Sequence, residues 1–198
     1  SQERISVEAY QPYFDEFNPV DYDPKKWAKL AKEAGMKYAV LTAKHHDGFC
    51  LFDSKLTDYK ATNTPAHRDL VREYIDAFRA EGLKVGLYYS IIDWPHPDFP
   101  HYGDRQHPER DNEAFKGAQH NFNNYLDYMH GQVCELCENY GKIDILWLDF
   151  SYSQRHGEGD KAWLGGKGKD DWESEEMVRL VRDLQPWVLI DNRLDVEG

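Results

Sequence analysis

The sequence predicts an α/β fold built on a parallel sheet, and three observations predict it. Short apolar runs of strand length recur along the 198 residues, helical patterns with legible ends separate them, and long polar segments follow two of the runs. Strands that alternate with helices pair in parallel through right-handed crossovers. The runs are Lys37 to Ala43, Leu83 to Tyr89, Ile143 to Leu148 and Trp187 to Ile190. Each is continuous rather than alternating, as expected of strands buried on both faces.

The helices are bounded by their own chemistry. Asp23 and Pro24 open the first, a capping side chain followed by a proline where a missing N–H costs nothing. Trp27, Leu30, Ala31 and Ala34 are expected on its inner face, and Gly35 stops it. The second spans about residues 69–81, with Leu70, Val71, Tyr74, Ala77 and Phe78 inward and Gly82 beyond its end. A third, about residues 121–140, turns Phe122, Tyr125, Leu126, Met129, Val133 and Leu136 to the core before Gly141. The fourth carries Met177, Leu180, Val181 and Leu184 and ends at Gln185, because Pro186 cannot continue it. A doubly wound sheet and a closed eight-stranded barrel both fit this alternation. A complete barrel needs about 250 residues, more than this length provides.

Composition narrows the function. With 24 Lys and Arg against 36 Asp and Glu, the net charge of −12 repels phosphate backbones and anionic headgroups. Nucleic acid is therefore not an expected partner, and no apolar run approaches the roughly 20 residues of a membrane span. The opening Ser1-Gln2-Glu3-Arg4 does not read as a signal peptide, and the compartment stays unassigned. Aromatic residues make up 14% of the chain, which suits stacking on flat neutral ligands such as sugar rings as well as ordinary packing. Cys50, Cys134 and Cys137 are too few for a disulfide framework or a structural zinc site and are expected as free thiols.

Candidate chemistry collects at the strand ends. Lys44-His45-His46-Asp47-Gly48-Phe49 follows the first strand, and its histidines suit hydrogen bonding to hydroxyl groups, a polar turn, or a metal. Neighbours on an extended segment point to opposite sides, which argues against both histidines sharing one ion. The third strand ends in Asp149, fit to be a metal ligand, a base, a nucleophile or a cap, whereas Asp144 near its start is expected to be structural. Tyr88, Tyr89 and Ser90 stand at the end of the second strand, with Asp93 and Trp94 after them, and Asp191, Asn192 and Arg193 follow the fourth. Residues 91–120 and 151–170, rich in Pro, Gly, His and charge, extend from strand C-termini, where parallel α/β folds place their sites. The sequence contains neither a phosphate-binding glycine loop nor a Gly-x-Ser-x-Gly elbow.

Trp27 through Leu51 resembles the α-L-fucosidases of glycoside hydrolase family 29, above all in Lys-His-His-Asp-Gly-Phe at 44–49. The resemblance extends through Phe52-Asp53-Ser54-Lys55, residues 82–90 and residues 140–149, nearly the whole chain. It implies a retaining exo-glycosidase that releases terminal L-fucose from oligosaccharides or glycoconjugates, on a (β/α)8-like barrel, with no metal or cofactor. Asp149 then falls on the nucleophile, and His45, His46, Tyr89, Trp147 and Arg193 on the fucose pocket. Trp94 and Phe49 are further substrate-binding candidates, and Trp147 with Phe49 would supply an apolar wall for the methyl face of the sugar.

Two departures accompany the resemblance. The family's first strand, with its Phe-x-His-Trp-Gly motif, has no counterpart, and neither has the general acid/base. Glu158, Asp160 and Glu173 do not match the family pattern. Residues 1–198 therefore read as one partial domain, about strands two to five of the barrel, with the acid/base expected beyond Gly198 and the stretch catalytically incomplete and unstable by itself. A non-catalytic fucose-binding module and a metal-dependent hydrolase using His45, His46 and Asp149 are the alternatives.

Overall fold

The computed structural model describes residue 5 and residues 7–104, 106–152 and 166–196. Four strands, β1 (Tyr38–Lys44), β2 (Lys84–Ser90), β3 (Ile145–Asp149) and β4 (Leu189–Ile190), pair in parallel in the order β1-β2-β3-β4. A doubly wound sheet reverses its strand order part-way, whereas a barrel adds each strand beside the last. The sequential order is that of part of a (β/α)8-type barrel.

Five α-helices accompany the strands: α1 (Val7–Asp15), α2 (Pro24–Glu33), α3 (Leu70–Ala80), α4 (Phe122–Asn139) and α5 (Ser174–Leu184). The predicted caps form. Asp23 accepts from the Lys26 N–H at 3.0 Å and Asp69 from the Arg72 N–H at 2.8 Å. Helix α1 was not expected, because Pro12 inside it removes a helical hydrogen bond and breaks the sequence signal. The inner face of α2 also differs from expectation. Ala28 and Ala31 are buried while Trp27 and Leu30 are exposed, since small side chains let α2 approach α3 closely enough for Lys32 Nζ to bond the Glu81 carbonyl at 2.8 Å.

Strand parity divides the sheet into two faces. Val85, Leu87 and Tyr89 of β2 and Leu146 and Leu148 of β3 are buried in the core shared with Tyr74, Ile75 and Phe78 of α3 and Met129, Val133 and Leu136 of α4. The other face carries Val40, Gly86, Tyr88, Ile145, Trp147 and Asp149 by register. A Cβ on Gly86 would sit 2.8 Å from Val40 Cγ2 and 3.0 Å from Ile145 Cβ, so the residue type is imposed by its neighbours. The expectation of strands buried on both faces is not met among the described residues, where Trp147 is 41% exposed. Asp144 takes its structural place at the N-terminal end, accepting from the Val85 N–H at 3.0 Å.

The loops at the strand C-termini are fastened by buried polar contacts. Lys44 Nζ meets Asp93 Oδ2 at 3.0 Å with both side chains buried, joining the end of β1 to the loop after β2. Asp104 receives the Tyr152 hydroxyl and pairs with Lys167, joining the loop after β2 to the segments that follow β3. His107 accepts the Glu109 N–H through Nδ1 at 3.0 Å and leaves Nε2 facing the Trp94 carbonyl at 3.0 Å. All three cysteines are free, and burial pushes the Cys50 thiol up to about 12.

Candidate active site

The site begins where β3 ends. Asp149, at the C-terminal end of this strand, lies opposite Ser90 in the register, and Trp147 lies opposite Tyr88. Alternation of side chains places Tyr88 and Asp149 on the same face, and the Tyr88 hydroxyl donates to Asp149 Oδ2 at 2.7 Å. Arg193 Nε pairs with the other carboxylate oxygen. Asp149 thus has a hydroxyl donor on one oxygen and a cation on the other. Burial and the adjacent carboxylate both push the Tyr88 phenol well above its ordinary range, so it remains a donor at any working pH.

A ring of contacts closes around this carboxylate. His45 stacks on Tyr88 with centroids 5.6 Å apart and planes 14° from parallel, and the His45 and His46 rings are 4.1 Å apart. His46 meets the Phe150 ring edge-on at 5.2 Å, and the Arg193 guanidinium lies 5.7 Å from the same ring centre. Phe150 holds this place with a φ of 107°, a conformation that bulky residues rarely adopt. The expectation that His45 and His46 diverge fails because β1 ends at Lys44 and the chain turns at once. Gly48, at φ 74°, makes that turn possible, since a Cβ there would lie 2.5 Å from Asp93 Oδ1.

His46 is held on several sides. Its Nδ1 is 2.5 Å from Ser90 Oγ, and its ring lies 5.3 Å from that of Trp94. Burial, reinforced by the charges of His45 and Lys44, pushes its pKa down to about 3, so it is neutral near pH 7. The Trp94 backbone N–H donates to the His46 carbonyl at 2.8 Å. Its indole N–H is buried without a hydrogen-bond partner among the described residues.

Two expected pocket residues lie elsewhere. Tyr89 is fully buried on the helix side of β2, where its hydroxyl donates to Gln132 at 2.8 Å and Lys44 Nζ lies 4.5 Å from its ring centre. Adjacent strand residues face opposite ways, so Tyr88 and not Tyr89 meets Asp149. Phe49 packs against Phe14, Phe17 and Tyr59, in an aromatic cluster that α1 and the following residues complete. Glu158 and Asp160 lie outside the described residues, and Glu173 is an exposed residue preceding α5. Among the described residues no three His, Cys, Asp or Glu side chains are arranged to hold a metal ion.

Tyr88, Ser90 and Phe150 also lie around Asp149 and His46; the sequence offers the first two only as strand-end residues and does not single out Phe150. Parity with Asp149 would have found the first two had the strand register been known. Asp191 also comes close, accepting the Leu148 N–H at 2.9 Å, and its pKa is raised by burial and then by the charge of Asp149.

Comparison with known proteins gives this arrangement a family. The α-L-fucosidase family profile matches residues 5–198. The chain belongs to the α-L-fucosidase family. α-L-fucosidase isoenzyme 1 from Paenibacillus thiaminolyticus superposes with a TM-score of 0.89 at 68% identity, covering 98% of this chain and 43% of that one. A trapped covalent intermediate of a family 29 α-L-fucosidase from Bacteroides thetaiotaomicron, with 2-fluoro-fucosyl fluoride, superposes at a TM-score of 0.78 and 31% identity, covering 98% and 39%. A putative α-L-fucosidase 1 of Oryza sativa subsp. japonica is 35% identical over 178 residues, 88% of this chain and 28% of the relative. The chain thus spans less than half the length of each of these α-L-fucosidases.

Proposed function

We propose that this chain carries the nucleophile half of a retaining exo-α-L-fucosidase acting on terminal L-fucose of oligosaccharides or glycoconjugates. The observation that carries the reading is Asp149 at its strand end, with Tyr88 on one oxygen and Arg193 on the other. A carboxylate held by a hydroxyl donor on one oxygen and by an ion pair on the other is fixed in direction, which a nucleophile attacking one face of a sugar requires. In the first step an Asp149 oxygen bonds to C1 as the glycosidic C1–O bond breaks, and the leaving oxygen takes a proton from a general acid. In the second, water gives a proton to that same group, now a base, and bonds to C1 as the bond from C1 to Asp149 breaks, which restores the carboxylate. No residue of the chain is assigned as the acid/base.

The surrounding side chains suit a deoxysugar. His45 and His46 bring ring nitrogens that can bond hydroxyl groups, with His46 neutral near pH 7, and the exposed Trp147 ring offers an apolar wall for a methyl group. A site that bonds hydroxyl groups discriminates strongly against sugars that lack them.

The experiment is covalent trapping in the full-length protein. Incubation with 2-fluoro-fucosyl fluoride, followed by proteolysis and mass spectrometry, should place the fluorofucosyl group on the peptide bearing Asp149. Asp149→Asn should abolish labelling and lower kcat/KM on an aryl α-L-fucoside by about 10³-fold or more. Labelling of a different carboxylate overturns the assignment.

A further inference from the structure

Ser90 has no part in the chemistry above, yet it is fully buried between the site and the loop after β2. Its Oγ makes three contacts, to His46 Nδ1 at 2.5 Å, the Ile92 carbonyl at 2.9 Å and the Ile92 N–H at 3.1 Å. A hydroxyl has one proton and two lone pairs, so the three contacts permit only one consistent arrangement. The Ile92 N–H can only donate and takes one lone pair. The Ile92 carbonyl can only accept and takes the hydroxyl proton, because two oxygens 2.9 Å apart with no proton between them repel. The remaining lone pair faces His46 Nδ1, which must therefore carry the ring proton.

A neutral imidazole has a single N–H, and its second nitrogen is then an acceptor. His46 Nε2 is bonded to no described residue and remains for a ligand. We propose that Ser90 is a positioning residue that locks His46 as its Nδ1–H tautomer, so that Nε2 meets the ligand as an acceptor and selects a hydroxyl group that donates. That the hydroxyl belongs to L-fucose rests on the function proposed above; the tautomer does not. The specificity consequence is directional, since a group of the same size that accepts but cannot donate is refused.

Long-range proton–nitrogen NMR of ¹⁵N-histidine-labelled full-length protein at pH 7 reads the tautomer without ligand, with His46→Gln identifying the resonances. The expected result is a protonated Nδ1 and a bare Nε2, retained in Ser90→Thr and lost in part in Ser90→Ala. A bare Nδ1 in the native protein overturns the proposal, as does an unchanged tautomer in a folded Ser90→Ala. Calorimetric titration with L-fucose and its deoxyfluoro analogues supplies the second readout. One analogue should bind roughly tenfold more weakly than fucose to the native protein, and that penalty should shrink in Ser90→Ala. Equal penalties in both proteins overturn the selection step. An Nδ1–H tautomer in a protein that does not bind L-fucose supports the Ser90 assignment and removes the fucosidase reading.

Discussion

The Tyr88 hydroxyl donates to Asp149 Oδ2 at 2.7 Å, while Tyr89, one residue on, donates to Gln132 on the opposite side of the sheet. Two chemically identical neighbours therefore have separable roles. Tyr88→Phe removes a hydrogen bond to a charged group, worth about 1.5–3 kcal/mol, and is expected to lower kcat/KM by roughly 10–100-fold with little change in stability. Tyr89→Phe leaves the buried Gln132 carbonyl unpaired and is expected to cost about 1–3 kcal/mol of stability with kcat/KM nearly unchanged. Aryl fucoside kinetics and urea unfolding of both variants check the pair, and the reverse pattern would put Tyr89 back in the pocket.

The Lys44–Asp93 pair holds the end of β1 against the loop after β2, with side chains 0% and 3% exposed. Removing one partner strands the other charge in the core. Lys44→Met is expected to destabilise by about 3–5 kcal/mol, whereas replacing both residues by apolar side chains of similar volume should recover much of the loss. Denaturant midpoints of the single and double variants measure the difference. A single variant as stable as the native protein would show that the pair does not fasten the loop.

Gly48 meets two separate obstacles to any side chain, a φ of 74° and the Asp93 carboxylate 2.5 Å from where a Cβ would stand. Gly48→Ala should therefore displace Asp93 from Lys44 and disturb the turn that brings His45 over His46. We expect a lower melting temperature together with weakened fucose binding. A glycine in open space offers the control: Gly117→Ala also strains a positive φ but meets nothing within 4 Å, and should leave binding intact.

His46 makes acid stability a readout of the site. Its pKa in the folded chain is pushed down to about 3 by burial and by the charges of His45 and Lys44, against about 6.5 when unfolded. Between these values the unfolded chain binds more protons than the folded one, so the contribution to stability is complete above about pH 6.5 and is lost as pH falls toward 3. His46→Gln should flatten the decline between pH 6.5 and 4. His107, lowered to about 4 mainly by burial, supplies a parallel slope that this variant retains. Urea unfolding across that range distinguishes the two.

Much of this protein was readable without coordinates. Continuous apolar runs, caps at Asp23 and Asp69 and the Pro186 stop are local signals, and local signals place elements because backbone hydrogen bonding and burial act within a few residues of one another. Motif residues identified the family for the same reason: Asp149, His45 and His46 keep their order along the chain whatever the fold does with them. Pairing lies beyond that reach. Which of Tyr88 and Tyr89 meets Asp149 depends on the register of β2 against β3, and a shift of one residue exchanges the faces. The convergence of His45 with His46 depends on where β1 stops, and the assignment of Phe49 depends on aromatic residues more than thirty positions earlier in the chain. The sequence by itself therefore determined the alternation of elements, the acidic balance and the residue types at each strand end. Only the tertiary structure decided which side chains share a face, because strand parity and turn geometry convert adjacency along the chain into opposition in space.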